Sequence, residues 1–362
     1  MIGNNFLKEY AARQIEDFRR ACNNPPPVFK TGGRFDSLED ALGGGIYPRF
    51  YVLGGDTSTG KTTFALQLAD AIAQTGRTVA FFSQEMRTEE MIARSVSRIS
   101  RETAGEDQRK QQEYCLAENE ILYHQSNLPE KKRKAFEESL CIYQTKIKPN
   151  IIFFGGRRSI SHDPGDPPIL IENCSIYQVI EDIQNNSADG KPPIIFIDYL
   201  QILAPEPGTG KEIEKTQIDA HLREIMNLKT KFKTPIFAVS SYNRSSYKQT
   251  TGNAAALKGS GEIEYSADCL LFLEIPQDSH FARGTPKGEQ ENSRAEDYNK
   301  AMNKDTREIR IRITKNRGAR FNEKLSVSYT PKYNYFDFIH KEEGTSKNEE
   351  LKKQYKVKKA LY

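Results

Sequence analysis

Paired cysteines and long apolar runs are missing from this sequence. The five cysteines, Cys22, Cys115, Cys141, Cys174 and Cys269, are scattered and none forms a C-x-x-C pair, which argues against a zinc site. Their spacing does not suit the disulfide framework of a secreted domain. It fits a reducing compartment, so a cytoplasmic location is expected. No apolar run approaches the roughly 20 residues of a membrane helix. The start, MIGNNFLKEYAARQ, lacks a basic region followed by an apolar one, so no signal peptide is expected. A strong charge bias is also lacking. The net charge of +4 permits a nucleic-acid partner without arguing for one. No internal repeat is apparent.

What is present is a chain of 362 residues, 37% hydrophobic and 28% charged. That length suits one large α/β domain with additions, or two small domains. The apolar content supports a core, and the charge implies polar surface segments. Residues 5–22 place Phe6, Leu7, Tyr10, Ile15 and Phe18 near one helical stripe. The stretch NNPPPVFKTGG then ends that helix as a linker.

From Arg49 onward, apolar strands alternate with helices. RFYVL, TVAFFS, NIIFF at 150–154, PIIFID at 193–198 and PIFAVS read as strands, followed by DCLLFLE, REIRIRIT and KLSVSYT. KTTFALQLADAIAQT, a helix capped by Thr88, one capped by Ser175 and running through Ile183, and a charged one at 211–232 lie between the earlier strands. This order predicts an α/β fold with a mostly parallel sheet, helices on both faces and an antiparallel extension at one edge. Three segments stand outside that rhythm. Residues 101–149 read as a charged helical insertion, arranged as a hairpin. Residues 276–306 read as a mobile polar loop, and 341–362 as a frayed basic tail.

The most specific motif is GDTSTGKT, Gly55–Thr62, which follows a strand and opens a helix. It satisfies the P-loop pattern G-x-x-x-x-G-K-[ST]. Such a loop aims successive backbone N–H groups at a phosphate, and the helix N-terminus adds its positive dipole end. Gly55, Ser58, Thr59, Gly60, Lys61, Thr62 and Thr63 are therefore the candidate nucleotide-binding residues, for ATP with Mg²⁺. Lys61 is expected at the β- and γ-phosphates and the Thr62 hydroxyl on the metal. Asp198 ends the strand PIIFID and is the second candidate metal ligand. Glu85 follows the strand after the P-loop helix, and is a candidate to activate the attacking water. The last feature is REIRIRITKNRGAR, Arg307–Arg320: an alternating strand that ends by projecting Lys315 and Arg317 before Gly318. Alone, such a basic pair reads as a solvated or DNA-facing charge pair.

Taken in order, GDTSTGKTTFALQLA, FFSQEM, FIDYLQIL, VSSYNRS, LKGSGEIEYSADCLLFLE and TKNRGAR resemble the motifs of the RecA-like motor domain of DnaB-family replicative helicases. FKTGGRFDSLEDALGGG resembles the lead-in to that domain, and the likeness covers roughly residues 28–335. It implies a motor domain over 28–340, with 1–27 as a linker-type helix and Pro-rich linker. It implies Lys61 and Thr62 on phosphate and Mg²⁺, Glu85 as catalytic base and Asp198 as the Walker B acid. It further implies that Lys315 and Arg317 are a trans-acting finger for a neighbouring subunit's ATP. A ring, expected as a hexamer on single-stranded DNA, and loader or replication proteins are the implied partners.

Two departures qualify the resemblance. The sensor motif has Ser241 where the family carries a glutamine, whereas Asn243 and Arg244 match, so coupling is expected to weaken or to pass to Asn243 or another residue. Only about 30 residues precede the motor, so the family's N-terminal collar is expected to be absent and primase binding is not carried over. DNA-contacting loops are expected around 204–216 and 245–260. There Lys248 and Lys258 are candidate phosphate contacts, with a flexible surface loop as the plain alternative. Two rival functions stand beside the helicase: a RecA-like ATPase that binds DNA without unwinding it, such as a recombination mediator or helicase loader, and a KaiC-type ATPase acting on protein.

Overall fold

The computed structural model describes residues 4–25, 27–83, 85–155, 176–198, 211–240, 260–276, 287–320 and 323–338. The expected sensor residues Ser241, Asn243 and Arg244, the DNA candidates Lys248 and Lys258, the cap at Ser175 and the basic tail lie outside those residues.

Among the described residues a nine-stranded sheet organises the domain, in the order β3-β2-β4-β5-β1-β6-β7-β8-β9. The strands are β1 (Phe50–Gly55), β2 (Val79–Ser83), β3 (Ile151–Gly155), β4 (Ile194–Asp198), β5 (Ile236–Val239), β6 (Cys269–Glu274), β7 (Arg307–Asn316), β8 (Glu323–Thr330) and β9 (Tyr335–Phe338). The first six are parallel, and β7, β8 and β9 extend the sheet in antiparallel fashion. This is the mixed sheet the sequence implies, with β9 as an unforeseen last strand.

Residues of β1, β2, β4 and β5 are buried throughout, as strands covered on both faces must be. Successive side chains alternate between two cores. Tyr51, Phe81, Phe196 and Phe237 pack in one; Phe50, Val52, Ile195 and Ile197 pack in the other. In the first core the rings stack across adjacent strands: Tyr51 on Phe237 at 4.6 Å, Phe237 on Phe196 at 4.8 Å, and Phe196 on Phe81 at 5.6 Å between centroids. Parallel aromatic stacking of this kind adds to simple area burial.

The helices are α1 (Asn4–Asn23), α2 (Asp36–Ala41), α3 (Lys61–Gln74), α4 (Thr88–Ala104), α5 (Gln108–Tyr114), α6 (Glu118–Tyr123), α7 (Glu130–Ile142), α8 (Ile176–Asn186), α9 (Lys211–Phe232), α10 (Ser260–Ser266) and α11 (Lys287–Met302). No described helix is long and apolar enough to cross a membrane. α1 forms where the apolar stripe predicts it, but Tyr10, Ile15 and Phe18 are exposed at 54%, 54% and 65%.

Three expectations need correction. Residues 287–302, expected as part of a mobile loop, form α11, whose Tyr298, Ala301 and Met302 pack against the first core. Residues 101–149 are not a hairpin: 101–104 complete α4, and the rest forms α5, α6 and α7 with short 3₁₀ and π turns packed on α4, with Cys115, Leu116, Leu128, Phe136 and Tyr143 buried beneath the charged surface. Thr88 opens α4 without capping it: the preceding Arg87 N–H donates to Glu90 Oε2 at 3.0 Å.

Under α4 lies a buried ion network. Arg98 donates to Asp70 of α3 at 2.8 Å and also contacts Glu102, which pairs with Arg34 at 2.6 Å. It locks α4 to α3, the helix that begins at the P-loop lysine.

Candidate active site

The P-loop lies at the carboxyl end of β1. Gly60 stands immediately before α3 with φ +87°, and a Cβ there would meet Phe336 Cζ at 2.7 Å and the Tyr329 ring at 2.9 Å. Only glycine meets both demands, the left-handed backbone and the close approach of β8 and β9. Thr59 Oγ1 donates to the Asp56 carbonyl at 2.8 Å, and Lys61 Nζ donates to the same oxygen at 2.7 Å. Both bonds close the loop on itself. Burial pushes the Lys61 amine down to about 8, against the pull of Asp56, Asp198 and Glu85. Thr63 is buried, and its hydroxyl bonds the Tyr329 phenol. Its side chain is thereby engaged with β8, which leaves its backbone N–H as what it can offer a phosphate.

Thr62 Oγ1 donates to Asp198 Oδ1 at 3.2 Å, joining residues 136 apart in sequence. Asp198 sits at the end of β4, paired in register with Ser83 of β2. Burial pushes its carboxyl up to about 6; the Thr62 hydrogen bond, Lys61 and Arg94 work the other way and Glu85 adds to the rise. Its second oxygen, Oδ2, is buried with no hydrogen-bond partner among the described residues. A buried carboxylate oxygen with an open lone pair, beside a threonine hydroxyl, is a donor set that fits a hard cation such as Mg²⁺.

Glu85 is exposed just beyond β2, and its charge acts on both Lys61 and Asp198. The P-loop, the Thr62–Asp198 pair and Glu85 therefore converge at one sheet edge, within one chain.

Lys315 and Arg317 do not join them. β7 runs antiparallel to β6, and its two ends have different neighbours. At the start, Arg307 Nη1 donates to the P-loop carbonyl of Ser58 at 3.2 Å. At the end, Asn316 pairs with Cys269 at the level of Tyr51, whereas Gly55 pairs with Leu273. Four residues of strand separate those levels, which puts the Lys315–Arg317 end about 13 Å along the sheet from the P-loop end.

The register also shows how the strand comes to project these side chains. Ile309, Ile311 and Ile313 are buried, and strict alternation would send Lys315 into the same core. Leu271 pairs with Ile313 but Leu270 with Lys315, so Thr314 is an extra residue, a β-bulge. A bulge re-aims the side chains that follow it. Here Asn316 becomes buried while Lys315 and Arg317 turn outward. Lys315 Nζ donates to the Glu264 carbonyl at 2.5 Å, and Arg317 contacts Asp268 Oδ1 and the Tyr265 carbonyl, each at 3.2 Å. Gly318 has φ +92°, and a Cβ there would meet Arg49 Nη2 at 2.7 Å. Arg49 in turn donates to Asn316 Oδ1 at 3.3 Å, bracing the turn.

Sequence reasoning missed four contributors. Tyr329 and Phe336 wall the P-loop, Arg307 holds its outer carbonyl, and Asp268 anchors Arg317. No short motif marks them, because each acts through a contact between distant segments.

The profile of the family described as "DnaB-like helicase C terminal domain" matches residues 30–138 and 166–338, most of the chain. A probable plasmid replicative DNA helicase of Chlamydia psittaci is 26% identical over 244 residues, 66% of this chain and 44% of that protein. The replicative DNA helicase DnaB of Buchnera aphidicola is 26% identical over 229 residues, 61% of this chain and 41% of that protein. The chain thus spans less than half the length of these curated relatives. Among solved structures, one described as an ATPase domain superposes with TM-score 0.62 at 17% identity, covering 92% of this chain and 98% of that one. A DnaB-like replicative helicase, solved for its interactions with primase, gives 0.61 at 17% identity, covering 91% and 66%. These superpositions establish the RecA-like fold, and with the profile match they show that the chain belongs to the DnaB-like helicase C-terminal domain family.

Proposed function

We propose that this protein is an ATP-driven DNA motor of the DnaB type, which hydrolyses ATP at the interfaces of a ring and uses it to move on single-stranded DNA. The observation that supports this best is the placement of Lys315 and Arg317. The chain assembles a P-loop, a metal-ligand pair and a glutamate at one edge, yet holds its basic pair at the far end of β7, out of reach of that edge. Such a pair can serve a nucleotide only on a neighbouring subunit.

In this reading Thr62 and Asp198 hold Mg²⁺, which when bound neutralises charge on the β- and γ-phosphates. Lys61 exchanges its bond to the Asp56 carbonyl for phosphate oxygens. Glu85 orients and deprotonates the attacking water. Arg317 enters from the adjoining subunit, where its planar, permanently charged fork stabilises charge developing on the transferred phosphoryl group. The exposed Tyr10, Ile15 and Phe18 of α1 give each subunit an apolar stripe to dock on the next, in a ring we take to be a hexamer. Loader and replication proteins are the further partners this assignment suggests.

The test is ATP hydrolysis with and without single-stranded DNA, run beside strand displacement on a forked duplex, with Lys61→Ala as control. The helicase reading expects DNA-stimulated hydrolysis and displacement, both abolished in the control. Stimulation without displacement would favour a non-unwinding DNA ATPase. Hydrolysis indifferent to DNA would favour a motor acting on protein.

A further inference from the structure

Asp268 is nearly buried, at 7% exposure, where the chain passes from α10 into β6. Every polar group of this residue is committed. Its backbone N–H donates to the Phe50 carbonyl and its carbonyl accepts from the Arg317 N–H, each at 2.9 Å. Carboxylate oxygen Oδ2 accepts from the Phe50 N–H at 2.9 Å and from Lys229 Nζ of α9 at 2.8 Å. One oxygen is thus fixed by the start of β1 and by a helix of the second core. The other, Oδ1, accepts from Arg317 Nη1.

The asymmetry of this arrangement is informative. Lys229 and Asp268 have side chains 17% and 9% exposed, whereas Arg317 is 53% exposed. A rigid, buried carboxylate grips one corner of a guanidinium that faces solvent. The Tyr265 carbonyl takes the other terminal nitrogen, leaving further N–H donors of the fork pointing elsewhere. A free arginine on a strand end samples many rotamers, and ordering it on a phosphate costs side-chain entropy. Here that ordering is completed within the subunit that donates the arginine.

We propose that Asp268 is the positioning residue of the trans-acting arginine: its carboxylate, fixed by β1 and α9, sets Arg317 in the pose from which it reaches the adjoining subunit's phosphate site. The proposal rests on the finger reading given above. Asp268 itself touches neither nucleotide nor metal. Its loss should leave the subunit's own nucleotide site intact and impair only the arginine it lends.

A double-mutant cycle on the full-length, assembled protein tests this. Wild type, Asp268→Asn, Arg317→Ala and the double variant are compared for kcat and KM for ATP with single-stranded DNA present. Asp268→Asn is expected to lower kcat by about 10- to 100-fold, the scale of a misplaced catalytic group, with KM within about threefold. In the Arg317→Ala background it should change kcat by less than about twofold, because there is no arginine left to position. Equal losses in both backgrounds would mark the pair as merely structural and overturn the proposal. So would wild-type turnover in Asp268→Asn where Arg317→Ala is inactive, which leaves the finger reading standing. Wild-type turnover in Arg317→Ala removes the finger reading and this proposal with it. Should Asp268→Asn fail to fold by circular dichroism, Lys229→Met loosens the same carboxylate. A fall of a few-fold in kcat, confined to chains that retain Arg317, supports the assignment, and no fall contradicts it.

Discussion

Replacing Arg98 by methionine tests the lock between the P-loop helix and the helix that follows Glu85. The Arg98 and Asp70 side chains are 3% and 0% exposed and meet at 2.8 Å. Methionine keeps most of the stem's volume but leaves the buried Asp70 carboxylate without the guanidinium that pairs with it. Glu102 keeps Arg34 and is spared. Removing one member of a buried pair costs about 3–5 kcal/mol, whereas replacing both with apolar groups is close to neutral. Arg98→Met should therefore lose about 3–5 kcal/mol in urea unfolding at pH 7, and Asp70→Leu/Arg98→Met should recover most of it. The pH dependence has a definite sign. Burial already holds the folded-state pKa of Asp70 above its unfolded value against the pull of Arg98, and losing Arg98 raises it further, so the carboxyl's contribution is present at low pH and lost as pH rises through the folded pKa. The deficit of the single variant should thus shrink towards pH 4. A single variant within about 1 kcal/mol of wild type, or a double variant no better than the single, would refute the lock.

Two further outcomes follow from the site. Asp198, raised to about 6 by burial, favours folding when protonated, a contribution present below its ordinary pKa and lost as pH rises through about 6. Asp198→Asn should accordingly stabilise the metal-free protein at pH 7 by about 1–3 kcal/mol while abolishing Mg²⁺-dependent nucleotide binding; a lower melting point than wild type in EDTA would contradict the burial argument. Gly60→Ala should cost about 2–4 kcal/mol from left-handed strain plus the clash with Tyr329 and Phe336, and an unchanged urea midpoint would deny the packing of β8 and β9 on the P-loop.

The parts of the molecule legible in the sequence are those written in local pattern. RFYVL, TVAFFS and PIIFID are short apolar runs between helices, and each is a central strand. The helix at 211–232 has the bounds its charge pattern implied. Gly55–Thr62 and Asp198 are likewise local motifs, and the sheet brings Thr62 against Asp198 as their positions at strand ends require. What stayed hidden depends on long-range contact. α11 is polar all round in KGEQENSRAEDYNKAM and is held by the few apolar residues near its end that reach the core. β9 is a four-residue strand, YFDF, whose pairing with β8 gives it meaning. The bulge at Thr314 has no signature in REIRIRITKN, yet it decides that Lys315 leaves the core. Asp268 looks like any aspartate before a strand until Phe50, Lys229 and Arg317 surround it.

The central claim is that each ATP site is completed by another subunit, and subunit mixing tests it most directly. Arg317→Ala chains have an intact site and no finger; Lys61→Ala chains have an intact finger and no working site. Each should be nearly inactive alone. In rings of equal random composition, about a quarter of interfaces pair an intact site with an intact finger in a head-to-tail ring. The mixture should recover ATP hydrolysis in that proportion, with DNA present. No recovery, in rings shown by mass measurement to contain both chains, would contradict the account.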